Sequence, residues 1–149
     1  MEEVIQIDSN FIEKNTHFIE LIQELKYYFS KNKVIVPMRH HHDFPNPEVN
    51  ADSTLLLMPA WNPSKNAGVK ILTISPENGQ FNLPAIQGAY IYFDAIKGIV
   101  KAVLDAKNLT VKRTAAASAL ASIYLSRQDS SSMLMIGTGA LSVNLIKAH

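Results

Sequence analysis

Apolar residues recur at helical spacing early in the chain. Phe18, Leu21, Ile22, Leu25, Tyr28 and Phe29 fall on one stripe. Asn15 and Thr16 ahead of them are good capping types, so the pattern predicts an amphipathic helix over 16–31. The period then shortens. Val34–Met38, Thr54–Met58 and Val69–Ser75 are short runs rich in branched apolar residues and read as strands. Between the first two, residues 39–53 carry Pro45, Pro47, three histidines and two asparagines, the composition of a long loop. Residues 75–79 have turn chemistry, with Gly79 free to take a positive φ. Ala89–Asp94 and Ile99–Leu104 flank Gly98 as a hairpin. The connections are too short for helical crossovers, which favours a mixed or antiparallel sheet. From Thr110 the character changes: Val111–Arg127 is alanine-dominated and predicts a second long helix. A polar linker at 127–132 leads to Met133–Ile136, a short buried-type strand. That strand runs straight into Gly137-Thr138-Gly139-Ala140-Leu141-Ser142 and a helical stretch up to His149.

Composition narrows the class. With 149 residues, 47% of them apolar and 18% charged, the chain is large and apolar enough for a folded core. A formal net charge of +1 gives no strong pull toward nucleic acid or anionic lipid. The absence of cysteine excludes a disulfide framework, a zinc ribbon and a thiol nucleophile. The first residues are acidic and hold no apolar run, and no stretch approaches the ~20 apolar residues that span a bilayer. A cytoplasmic protein with neither nucleic acid nor membrane as partner is the expectation.

Four places carry candidate chemistry. The strand–glycine loop–helix at 133–149 has the form G-x-G-x-x-S. In a dinucleotide-binding turn the first glycine permits the tight bend, and the second lets the backbone approach a pyrophosphate. The third position must be small, and the helix start then supplies N–H groups for phosphate. A plain glycine turn between any strand and helix is the competing reading. A complete nucleotide domain also needs several parallel strands and an acidic residue ~20 positions further on. The terminal segment is therefore expected to be an unfinished unit, completed by more polypeptide or by another chain.

Thr110 is a candidate N-cap, which would put Lys112 and Arg113 in the first helical turn. That is the wrong end of the dipole for cations unless an anion binds there; otherwise both side chains simply bend into water. Lys70 shares a strand face with Leu72 and Ile74, so it either snorkels out or is buried with a partner. Arg39 ends a strand and is followed by His40, His41 and His42. Consecutive residues of an extended chain point to opposite sides and rarely chelate one ion, so no metal site is expected. Trp61 reads as a packing residue.

In order, VPMR (36–39), LLLMPAW (55–61), GVKILTISPEN (68–78), LPAIQGAYIYFD (83–94), LTVKRTAAASALAS (109–122) and LMIGTGAL (134–141) resemble the ornithine cyclodeaminase/mu-crystallin family. The resemblance implies a homodimer of two-domain subunits that interconverts amino acids and their imino or keto forms with NAD or NADP. It implies that Arg39, Lys70 and Arg113 hold the carboxylate of a small amino or imino acid, with Arg113 also near the cofactor. Thr114 and the loop Gly137, Thr138, Gly139, Ala140 and Leu141 would contact the dinucleotide. Ala85 stands where cyclodeaminases tend to carry threonine, and Leu141 where many members have glutamine. Both departures lean toward a reductase.

The expected fold class is thus an α+β substrate-binding and dimerisation domain over 1–127. The first strand and helix of a truncated Rossmann α/β domain follow over 128–149. The family's catalytic aspartate is expected beyond the chain end, so these 149 residues alone are expected to be inactive. The rival reading is a non-catalytic dimerisation or small-molecule-binding module of the mu-crystallin kind.

Overall fold

The computed structural model describes residues 3–31, 33–63 and 65–149. In chain order its elements are β1 (Ile5–Ile7), α1 (Ser9–Asn15), α2 (Phe18–Lys31), β2 (His40–Asn46), β3 (Ala51–Asn62), β4 (Asn66–Ile74), β5 (Ile86–Asp94), β6 (Val100–Asp105), α3 (Ala106–Leu125) and α4 (Ser142–Ala148). Short 3-10 turns lie at Pro47–Val49 and Pro76–Phe81. The chain divides into two compact units, Met1–Ser9 with Lys33–Lys107 and Asn10–Asn32 with Asn108–His149. Among the described residues no helix is long and apolar enough to cross a membrane.

The first unit is a six-stranded mixed sheet in the order β1-β6-β5-β4-β3-β2. Strands β2 to β6 form an antiparallel meander, and β1 alone is parallel to its neighbour, pairing Ile5 with Ala102 and Ile7 with Leu104. The expected hairpin is present. Gly98 has φ +69, and the Asp94 carboxylate accepts hydrogen bonds from the backbone N–H groups of Ile96 and Lys97. These bonds hold the Asp94 carboxyl below its usual range. Even-numbered residues of β3 and β4 share the face that carries the core: Leu56 and Leu72 are buried with Ala106, and Met58 and Ile74 pack beside them.

Three sequence expectations fail in this unit. Val34–Met38 is not a strand; only Ile35 bridges to Trp61. Residues 39–53 are not a loop, because His40–Asn46 pairs along its length with β3. The three histidines therefore stand in a strand rather than a loop. Strand β2 lies at the edge of the sheet, where Pro45 is tolerated and polar side chains face water. That is why the segment reads as a loop from composition. The left-handed residue after Ser75 is Asn82 (φ 55), not Gly79. Asn78 explains the displacement: its carbonyl accepts from Leu83 N–H, and its side-chain amide donates to the Pro84 carbonyl. The turn thereby extends three residues further. β1 and α1 have no forerunner in the hydrophobic pattern, being three and seven residues long.

The second unit is helical. α2 realises the amphipathic stripe, starting at Phe18. α3 begins at Ala106, five residues before the expected start, directly after the Asp105 carboxylate. Lys112, Ala115, Ala116, Ala119 and Leu120 are buried along it at i, i+3, i+4, i+7 and i+8. Alanine makes this face shallow, so the helix can be approached closely, and also leaves the helix with little contrast between its sides. Residues 133–136 form no strand: Leu134 and Ile136 are 84% and 87% exposed. A strand needs a hydrogen-bonded neighbour, and no described strand pairs with this one.

Candidate functional site

Lys70 sits where the sequence pattern places it, on the core-bearing face of β4 between Gly68 and Leu72. Its cross-strand neighbours are Met58 on β3 and Tyr90 on β5. An apolar row thus flanks the ammonium stem, and Lys70 is half-buried. Tyr90 leans along the sheet over Gly68: a Cβ at position 68 would overlap its Oη and Cζ and lie 2.9 Å from Cε1. Glycine in the G-V-K motif is therefore explained by the tyrosine two positions away on the next strand. Burial pushes the Tyr90 phenol above its usual value, and neighbouring Tyr92 adds to the shift. Tyr92 in turn donates its hydroxyl proton to Asn66 Oδ1 at 2.6 Å.

Arg39 is exposed and immediately precedes β2. It is the residue before His40, the first paired position of β2, which stands opposite Leu57. Arg39 thus leads into the edge strand β2, which is two strands away from β4 and Lys70. His40 and His42 share the opposite face, their ring centroids 6.2 Å apart, while His41 points away from them.

Arg113, Thr114 and residues 137–141 belong to the helical unit. Thr110 is not an N-cap. It lies inside α3, so Lys112 and Arg113 are in its second and third turns and the dipole argument for an anion there lapses. Arg113 is exposed and Thr114 half-buried. Gly137 takes φ +98, a conformation that favours glycine. Around Gly139 no atom lies within 4 Å of an added Cβ. Thr138, Ala140 and Leu141 are exposed beside it. Ser142 donates its hydroxyl proton to the Gly139 carbonyl at 2.8 Å, closing the loop onto α4.

The residue that sequence reasoning misjudged is Lys112. It does not bend into water. Only 3% exposed, it donates to the carbonyls of Glu13 and Thr16, each at 3.0 Å, and pairs with Glu13 Oε2 at 3.1 Å. Its ammonium also stands 5.6 Å from the Phe18 ring centroid. Those carbonyls lie at the end of α1 and in the link to α2, where helix geometry leaves acceptors without partners. The hydrogen bond from Lys112 holds the Glu13 carboxyl below its usual range against partial desolvation, with the charge of Lys112, a hydrogen bond from Asn108 and the charge of Lys147 adding to it. The available signal was spacing: Lys112 starts the buried alanine stripe. Elsewhere in this unit an apolar groove of about 420 Å³ runs between Phe29 and Ser30 of α2 and Ala117, Leu120 and Tyr124 of α3, and holds none of the predicted site residues.

Similarity to known proteins runs along the whole chain. An uncharacterized protein of Schizosaccharomyces pombe is 46% identical over 89% of this chain and 40% of its own length. A Delta(1)-pyrroline-2-carboxylate reductase of Colwellia psychrerythraea is 34% identical over 96% of this chain and 45% of its own. The structure of the Thermococcus litoralis Delta(1)-pyrroline-2-carboxylate reductase in complex with NADH and L-proline superposes with a TM-score of 0.74. It is 27% identical and covers 85% of this chain and 39% of that one. The chain thus spans about two fifths of the length of these relatives. The order of motifs, the mixed sheet that presents Lys70 and the matched residues 3–148 agree: the chain belongs to the ornithine cyclodeaminase/mu-crystallin family.

Proposed function

We propose that this chain is the substrate-binding part of an NAD(P)-dependent oxidoreductase acting on small amino and imino acids, of the ketimine or pyrroline-carboxylate reductase type. The observation that carries the proposal is Lys70, a cation on an otherwise apolar sheet face, with Arg39 leading into the strand two places away. Adjacent strands are ~4.8 Å apart, so strands β2 and β4 are separated by about 10 Å. Two long cationic side chains across that gap suit one small carboxylate. Fixing the carboxylate fixes the attached Cα, which is catalysis by positioning. Arg113 would add a third charge, and the apolar neighbours Met58 and Tyr90 would exclude water and strengthen the attraction.

NAD or NADP, when bound, supplies or accepts the hydride. The glycine loop fits such a group: Gly137 needs its positive φ, and the space beside Gly139 is open to an approaching phosphate. Thr114 and residues 137–141 would form the part of the cofactor site that this chain contributes. Residues 1–127 would be the substrate-binding and dimerisation domain and 128–149 the opening of the nucleotide domain. A homodimer is part of the proposal. The sheet face opposite Lys70 presents Leu55, Leu57, Val69, Ile71 and Ile91, all partly exposed, which a second copy would cover.

The test is reduction of Δ1-pyrroline-2-carboxylate by the natural gene product with NADH or NADPH, beside the variants Lys70→Met and Arg113→Met. Turnover in the wild type with KM raised at least about tenfold in both variants supports the assignment. Turnover with KM unchanged in both removes these residues from the carboxylate site.

A further inference from the structure

We propose that Lys112 is a positioning residue that sets the angular phase of α3 and thereby aims Arg113 and Thr114. This deepens the reading above and rests on it. Lys112 is the only charged side chain among the described residues that is fully buried. Its three donor positions meet three acceptors, the carbonyls of Glu13 and Thr16 and the Glu13 carboxylate. Asn108, one turn earlier on the same face, also hydrogen-bonds Glu13. Two points four residues apart on α3 are therefore tied to the α1–α2 junction.

Successive residues of an α-helix are turned by ~100° about its axis. A helix pinned at 108 and 112 has no freedom left in where 113 and 114 point. The rest of the buried stripe could not do this. Ala115, Ala116 and Ala119 are small and nearly featureless, and a face of alanines tolerates a few degrees of rotation at little cost. The directional constraint comes from the ammonium, whose hydrogen bonds weaken steeply once misaligned. The same geometry separates Lys112 from any contact with substrate, because its donors are spent on the backbone. Its influence reaches the site only through Arg113 and Thr114, the two residues that follow it.

The experiment uses the natural gene product and the variants Lys112→Met, Lys112→Arg and Glu13→Gln. KM and kcat are measured for an imino acid and for NADH well below the melting temperature. Lys112→Met is expected to raise KM for the imino acid about tenfold, a loss typical of small misplacements of a binding group. Lys112→Arg should recover most of that loss. Glu13→Gln, which leaves both carbonyl contacts in place, should raise KM about twofold. A purely structural lysine would lower the melting temperature in all three and leave KM untouched, and that result overturns the proposal. If Lys112→Met does not fold, an unchanged KM in Glu13→Gln overturns it equally. A wild type that binds neither imino acid nor NADH instead sinks the function proposed above.

Discussion

Gly68→Ala probes the packing beside Lys70 with a built-in reversal of sign. Inside a strand, alanine is normally better than glycine by roughly 0.5–1 kcal/mol, because the unfolded chain has less freedom to lose. Here the added methyl would overlap the Tyr90 phenol, with Cε1 at 2.9 Å as the most distant of its three clashing atoms. Carbon atoms at optimal contact stand ~3.5–4.0 Å apart, so the ring must leave its place over the sheet. Overpacking of this kind costs about 1–3 kcal/mol, and the net effect should be a loss of about 1–2 kcal/mol. At ~2.1 cal/mol/K per residue of unfolding entropy, a chain of 149 residues loses about 3 °C in Tm for each kcal/mol. A fall of roughly 3–6 °C follows. Urea unfolding and thermal melts of Gly68→Ala, Tyr90→Leu and the double variant complete a cycle. In the Tyr90→Leu background the methyl has no ring to meet, so the same substitution should become neutral or stabilising. An alanine that stabilises the wild-type background, or costs the same in both, refutes the packing account of the G-V-K glycine.

Acid should loosen the Glu13–Lys112 contact. The folded carboxyl lies below the usual 4.5, so its contribution is fully present above that value and fades as pH falls through the folded pKa. In Glu13→Gln that part of the acid loss of melting temperature should vanish. Tyr90 works in the opposite sense. With a folded pKa above 10, its contribution holds below pH 10 and is lost as pH rises through the folded value. Ultraviolet titration should show one late-ionising tyrosine that disappears in Tyr90→Phe. Asn82 holds φ 55, where a Cβ without a short polar group costs ~1–2 kcal/mol. Asn82→Ala should destabilise by about that amount while Asn82→Gly stays near neutral, both read from urea midpoints. Gly137→Ala, strained at φ +98, should weaken NADH binding by the natural gene product about tenfold with little change in melting temperature; unaltered affinity would detach this loop from the cofactor.

Much of the sheet was legible because its inner strands obey simple rules. β3 to β6 are branched and apolar, and Gly98 marks the hairpin. Lys70 could be assigned a face from alternation alone. Three features were hidden for physical reasons. An edge strand needs no apolar alternation on its wet side, so the histidines and Pro45 of β2 masked it. The start of α3 is written in Ala106-Lys107-Asn108, residues that suit a loop equally well, and the better capping type at Thr110 misled. Met133–Ile136 has a strand's composition but no partner in the described sheet. Of the proposed site residues, Lys70 was marked by being a cation on an apolar strand face, whereas Arg113 was singled out by a helix start that the structure moves to Ala106. The role of Lys112 depends on carbonyls almost a hundred positions away, which no local pattern encodes.

The parallel pairing of β1 with β6 has a kinetic consequence. Ile5 meets Ala102, and Glu13 and Thr16 meet Lys112, so residues almost a hundred positions apart come together. At ~5–20 residues per second of synthesis, the first strand waits roughly 5–20 s for its partner. Over that interval the meander β2–β5 can form from hairpins alone, each closing a short loop. Strand β1 and helix α1 are thus a late stitch, added once β6 and α3 exist. Slowing or blocking that stitch would leave a nearly complete sheet with the β6 edge unpaired, a second edge beside β2 that is open to misassociation while this chain folds.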